Sequence, residues 1–165
     1  MAQIDMPVGG PERGAALVEL AMVLPLLLVV IAGIVDFGFA FQRYEVITNA
    51  AREGARLGSL SGYDAAFVQE RVRQYVKQAL NLTDPALDVV MPAANSVIVT
   101  HPDITLNLSG GGTVVAAAAR VDAFYHHQFM LLGPVMGLIN KSWGSSISMK
   151  GTSIMRLQVN GAGGS

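Results

Sequence analysis

Residues 15–35 (AALVELAMVLPLLLVVIAGIV) are 21 consecutive positions with one ionisable side chain, Glu19. As an α-helix rising about 1.5 Å per residue, this run is roughly 31 Å long, close to the thickness of a bilayer's hydrocarbon core. A cleaved secretory signal would have a basic segment ahead of it. Residues 1–12 contain no Lys or Arg and include Asp5 and Glu12, and no A-x-A cleavage pattern follows the run. A buried helix of a soluble domain rarely stays apolar on every face. The run therefore reads as a retained membrane helix, and the membrane is the first partner the sequence implies. Arg13 precedes it, and Arg43, Arg52 and Arg56 follow it. That charge bias does not settle the topology. The larger folded part lies C-terminal to the span.

The other bulk properties mostly exclude. A chain of 165 residues suits one domain, or one domain and an anchor. Charged residues make up only 14% and the mean hydropathy is +0.44, which places much of the apolar excess in the span. A formal net charge of −1 gives no basic footprint, so no nucleic acid partner is expected. The absence of cysteine rules out disulfides, thiol catalysis and cysteine zinc sites, and leaves the redox compartment open.

Residues 1–14 hold two prolines and three glycines ahead of Ala15 and read as a short flexible leader. Beyond residue 35 the helix need not stop. Phe37, Phe41, Tyr44, Ile47, Ala51 and Ala55 recur in steps of three or four, which predicts one helix continuing to about residue 58. Ala50, Gly54 and Gly58 form a second row at four-residue spacing. Small residues admit another backbone, from a sheet of the same chain or from another subunit. GSLSG at 58–62 breaks the helix, with Ser61 and Asp64 resembling a capping box. A second helix is expected over about 62–80 on the stripe Val68, Val72, Tyr75 and Ala79. The period then changes. Segments 86–92, 95–101, 103–109, 113–127 and 145–159 read as strands, with SGGG at 109–112 as a hairpin turn. Between the last two, FMLLGPVMGLINKSWG (129–144) is apolar but broken by Gly133-Pro134 and Gly137. It reads as a loop or short amphipathic helix covering the sheet, at the membrane surface or at a subunit contact. The fold class is α+β: a long N-terminal helix, a second helix and an antiparallel sheet of about four strands. Residues 59–159 form the folded α+β domain and 160–165 a flexible tail.

No chemistry of a familiar kind emerges. His126 and His127 are neighbours on an expected strand and point to opposite faces, so they do not share a metal. No G-x-S-x-G, H-E-x-x-H or P-loop is present. The three N-x-S/T triplets at Asn81, Asn107 and Asn140 read as coincidence. No cofactor, metal or catalytic site is expected, and an anchored enzyme would need a cluster of polar groups that the sequence does not display. Pro25 donates no backbone hydrogen bond and crowds the carbonyl of Ala21, marking a kink or soft point in the span. Asp36, where the helix leaves the lipid, reads as a solvated helix-end charge.

Gly14, followed by Ala15-Ala16-Leu17-Val18 and Glu19 and then an apolar helix, resembles the processing motif of type IV pilin-like precursors. Pro25, then Asp36 with Gly38, then the A-A-R-E-G-A-R run at residues 50–56 are similar to the TadE-like proteins of the tight adherence (Flp) pilus system. The S-I-M-R ending at Arg156 is also similar. The resemblance implies a minor pilin or pseudopilin, with residues 1–14 as a cytoplasmic leader cut by a prepilin peptidase between Gly14 and Ala15. Glu19 would then pair with the terminal amine of a neighbouring subunit. Implied partners are the prepilin peptidase, other pilins and minor pilins of the system, and the pilus assembly platform. The implied location is the bacterial inner membrane, single-pass, N-terminus cytoplasmic. Two alternatives remain at this point. One is a type II secretion pseudopilin, which shares the start motif but not A-A-R-E-G-A-R. The other is an anchored extracytoplasmic binding domain that is never processed.

Overall fold

A computed structural model describes residues 11–60, 62–107, 109–139 and 146–158. It shows the α+β arrangement: a long apolar N-terminal helix, further helices and a four-stranded antiparallel sheet. Ser61, Leu108, residues 140–145, the first ten residues of the leader, and Val159 with the tail after it lie outside the described residues.

Helix α1 (Pro11–Gly58) runs for 48 residues. It opens four residues ahead of the Ala15 start read from the sequence, at a proline, whose fixed φ and missing N–H suit a first helical position. Its two halves differ in surroundings. From Arg13 to Val30 every residue is exposed, although this half is strongly apolar, with mean hydropathy 2.7 over its most apolar window. In the second half Ile47, Ala50, Ala51 and Ala55 are fully buried. The helix is thus a naked apolar rod that becomes the spine of a folded head.

Helix α2 (Ala65–Ala79) starts at Asp64, whose Oδ1 accepts from the Phe67 amide at 2.7 Å. Asp64 is therefore the N-cap, in place of a box opening at Ser61. Val68, Val72 and Val76 are buried on one side of α2, filling the space beside α1. Helix α3 (Asp84–Val90) corrects the strand expected at 86–92. The apolar run ALDVV was too short for its period to decide. Pro85 in the first turn, after an extended Thr83, decides it: proline there starts a helix. Leu87 and Met91 close one end of the core. Arg73 is buried and donates to the Met91 carbonyl at 2.6 Å and to Asp88 at 2.5 Å, which fixes α3 to α2.

The sheet is organised by one strand, β3 (Thr113–Gln128). Along one edge lie β1 (Val97–Thr100) and β2 (Asp103–Asn107). Val97 opposes Ala123 and Asp103 opposes Ala117, the same antiparallel register. β1 and β2 are thus one line of chain interrupted at His101-Pro102, where proline has no N–H to give. On the other edge β4 (Ser146–Arg156) pairs with residues 118–128. Alternation along β3 sends Ala119, Val121, Ala123, Tyr125 and His127 inward, all buried, against α1. The opposite face carries Asp122, which accepts from Thr152 at 2.7 Å and meets Arg120 and Lys150 at 3.2 Å each. Burial raises that carboxyl, but these bonds outweigh it and hold the carboxyl below its ordinary range.

Contacts fix the direction of the head. Gly58 faces Ala119, Gly54 faces Val121, and Gly151, opposite Ala123, faces Ile47. β3 therefore runs back along α1 toward the exposed apolar half. After β3 the chain forms α4 (Leu132–Ile139), which packs on α1 near Gly33. Of segment 129–144, expected as a loop or short amphipathic helix covering the sheet, residues 132–139 are this helix and 140–144 lie outside the described residues. The helix lies against α1, beside the span, and not over the sheet.

Candidate functional site

The N-terminal motif lies on the bare half of α1. Gly14 falls in the first turn after Pro11, and a Cβ there would meet nothing within 4 Å. Ala15 and Glu19 are exposed. Few intrahelical bonds hold the first turn of a helix, so the Gly14–Ala15 bond sits where the chain opens most cheaply. Glu19 lies one turn further on and, among the described residues, makes no ion pair. An unpaired carboxylate on an otherwise apolar helix surface is costly in lipid. Pro25 lies inside α1, which is continuous through it. The Ala21 carbonyl there lacks its usual donor four residues on.

Asp36 is not the solvated charge that the sequence suggested. It is 1% exposed, and its two oxygens accept from three consecutive amides. These come from Met130 at 3.2 Å, Leu131 at 3.0 Å and Leu132 at 2.7 Å. Those N–H groups open α4 and have no intrahelical acceptor of their own. A carboxylate on one helix thus caps another helix more than ninety residues away, matching the positive end of its dipole. The reason for the misreading is separation in sequence: nothing local marks residues 130–132 as the partner.

Above Asp36 the junction continues with Arg43, Tyr125 and His127. The His127 ring packs edge-on against Phe129 at 5.2 Å, and Phe129 packs against Phe37 at 5.8 Å. The Arg43 guanidinium lies 5.7 Å from the Phe39 ring centroid. Burial, helped by the Arg43 charge and opposed by Asp36, lowers the His127 pKa. Burial raises that of Tyr125, against the pull of Arg43. His127 is buried and His126 exposed, the opposite faces that strand geometry requires. Among the described residues no three His, Cys, Asp or Glu side chains stand together as metal ligands.

The row of small residues faces inward, within this chain. Ala50 is fully buried. A Cβ on Gly54 would come within 2.5 Å of Val72 and 3.2 Å of Val121, and one on Gly58 within 3.3 Å of Ala119. Of the two readings of this row, its neighbours are α2 and β3. The charges between the small residues point outward, with Arg56 gripping Glu53 through two bonds of 2.7 and 2.9 Å. Gly151, which the sequence did not single out, brings two backbones close together. A Cβ there would lie 2.8 Å from the Ile47 carbonyl oxygen. An isolated glycine inside a strand pattern is the signal that could have found it.

Comparison with known families bears on this same helix. Residues 14–56 match the family model described as TadE-like protein. The chain carries a TadE-like N-terminal segment. The match starts at Gly14, takes in Glu19, Pro25, Asp36 and the A-A-R-E-G-A-R run, and stops before α2. It points to a protein associated with the tight adherence pilus. The TadE-like segment holds one apolar helix compatible with a single-pass membrane anchor. No curated protein and no solved structure matches the chain.

Proposed function

We propose that this TadE-like chain is a minor pilin or pseudopilin that helps to assemble a tight adherence (Flp-type) pilus. In this reading residues 1–14 are a cytoplasmic leader, α1 crosses the bacterial inner membrane, and residues 59–159 lie outside. A prepilin peptidase cuts after Gly14, and the protein performs no catalysis of its own. The observation that carries the reading is Glu19: a carboxylate without an ion-pair partner among the described residues, one turn beyond Gly14, on the exposed apolar half of α1, in the family-matched segment. The A-A-R-E-G-A-R run inside the matched segment favours the tight adherence system over type II secretion.

The cut would create an α-amine on Ala15, about 6 Å of helix rise from Glu19. A neighbouring subunit shifted along the bundle can present its amine to Glu19. The desolvation cost of the lone carboxylate then favours docking, since the charge is neutralised only in the assembly. Pro25 supplies a place where the span can loosen as a subunit leaves the bilayer. Partners are then the membrane, the peptidase, other pilins and minor pilins, and the assembly platform.

The test is Glu19→Ala in the native host. It should insert in the membrane at the wild-type level while pilus assembly drops. Normal piliation with Glu19→Ala would defeat the pairing mechanism.

A further inference from the structure

We infer that residues 129–139, in the β3–β4 connection, are a second membrane-contacting element, seated in the outer-leaflet interface beside α1. The inference rests on the reading of α1 as a membrane span and adds a lipid-facing surface on the head itself.

Four observations converge on this segment. Its depth is set by Gly33, inside the apolar run: a Cβ on Gly33 would lie 4.0 Å from the Leu132 Cδ1. Gly33 is only two residues, about 3 Å of helix rise, below the end of the run. Its composition is FMLLGPVMGLI, without one charged residue, and Met130 and Leu131 are 67% and 46% exposed. The acid that should keep such a segment in water is already engaged within the protein, because Asp36 is buried and spends both oxygens on the amides of Met130, Leu131 and Leu132. The same bonds satisfy the N–H groups of residues 130–132 at the entry to α4, which lipid could not satisfy. Finally, the apolar surface continues outward as a groove of about 280 Å³ lined by Phe37, Phe41, Tyr44, Phe129, Ile147 and Met149. Aromatic side chains at this level, ending in a tyrosine, are the composition of a bilayer interface.

The occupant of this surface is lipid, and not a second copy, because the surface is continuous with the bare apolar half of α1. A head tethered by α1 holds residues 129–139 against the bilayer at no further entropic cost. The segment then sets how the head stands on the membrane. β3 ends at this surface, and its other end, the Asn107–Thr113 turn, lies about 50 Å away along the strand.

The experiment uses the cysteine-free full chain in phosphatidylcholine–phosphatidylglycerol vesicles. Single cysteines at Leu24, Met130, Leu131 and Gly110 carry an environment-sensitive nitrobenzoxadiazole. A Cβ at Gly110 meets nothing within 4 Å, so that probe reports water at the far turn. Expected for Met130→Cys and Leu131→Cys is blue-shifted emission relative to Gly110→Cys, quenched by phosphatidylcholine with a nitroxide near the headgroup, at every protein-to-lipid ratio. Water-like emission at both positions, with Leu24→Cys in lipid, overturns this inference and leaves the anchor intact. A blue shift that vanishes as the protein is diluted with lipid also overturns it, in favour of contact between copies. Water-like emission from Leu24→Cys removes the anchor reading and this inference together.

Discussion

Two kinds of residue carry this fold's long-range information: a buried acid and a few glycines. Asp36→Ala leaves three amides at the start of α4 without an acceptor. Leaving buried donors unpaired costs roughly 1–3 kcal/mol each, partly recovered by water. We expect a loss of about 2–4 kcal/mol for the substitution as a whole. Hydrogen exchange should rise selectively at Met130, Leu131 and Leu132, and thermal unfolding in detergent should fall. Unchanged exchange at those amides would mean that the cap does not hold in solution. The glycines act by what they omit. In Gly151→Ala the new methyl meets the Ile47 backbone, which cannot rotate aside. In Gly54→Ala it meets Val72 and Val121, both β-branched and stiff. Each should cost about 1–3 kcal/mol by overpacking, read as a lower unfolding midpoint, whereas Gly110→Ala should be neutral. Of these positions the sequence displayed only the Ala50, Gly54 and Gly58 row, because a four-residue spacing is visible in one dimension. Asp36 and Gly151 meet partners brought close only by the return of β3 along α1.

At the scale of elements, periodicity told strand from helix wherever a run was long. The fifteen-residue alternation at 113–127 became β3, and the stripe from Val68 to Ala79 became α2. Short runs failed where termini decide: ALDVV is helical because Pro85 follows an extended Thr83, a starting signal and not a stopping one. The packing of β3 on α1 also has a pH signature. The His127 pKa is lowered by burial and by Arg43, with Asp36 opposing. The unfolded chain therefore takes up a proton first, and stability falls as pH drops below about 6.5, the ordinary histidine value. Asp122 acts in a separate window. Its pKa is lowered, so its contribution is present above 3.8 and is lost as pH falls through its lower folded value. His127→Gln should flatten the unfolding midpoint between about pH 6.5 and 5 relative to the wild type. Asp122→Asn should leave that window unchanged.

The molecule as a whole is a bare apolar rod joined to a head built around the rod's other half. The rod was legible from composition alone, and so was the class of the head. The join was not, since it depends on Asp36 and Arg43 of α1 meeting Tyr125 and His127 of β3 and Phe129 in the link beyond it. The proposal that gives the rod its purpose is the cut between Gly14 and Ala15, which frees the amine that Glu19 of a neighbour is to meet. It is tested most directly by sequencing the N-terminus of the protein extracted from membranes of its own host. The account predicts a chain that begins at Ala15. An intact Met1, or a start beyond Val35, would contradict it.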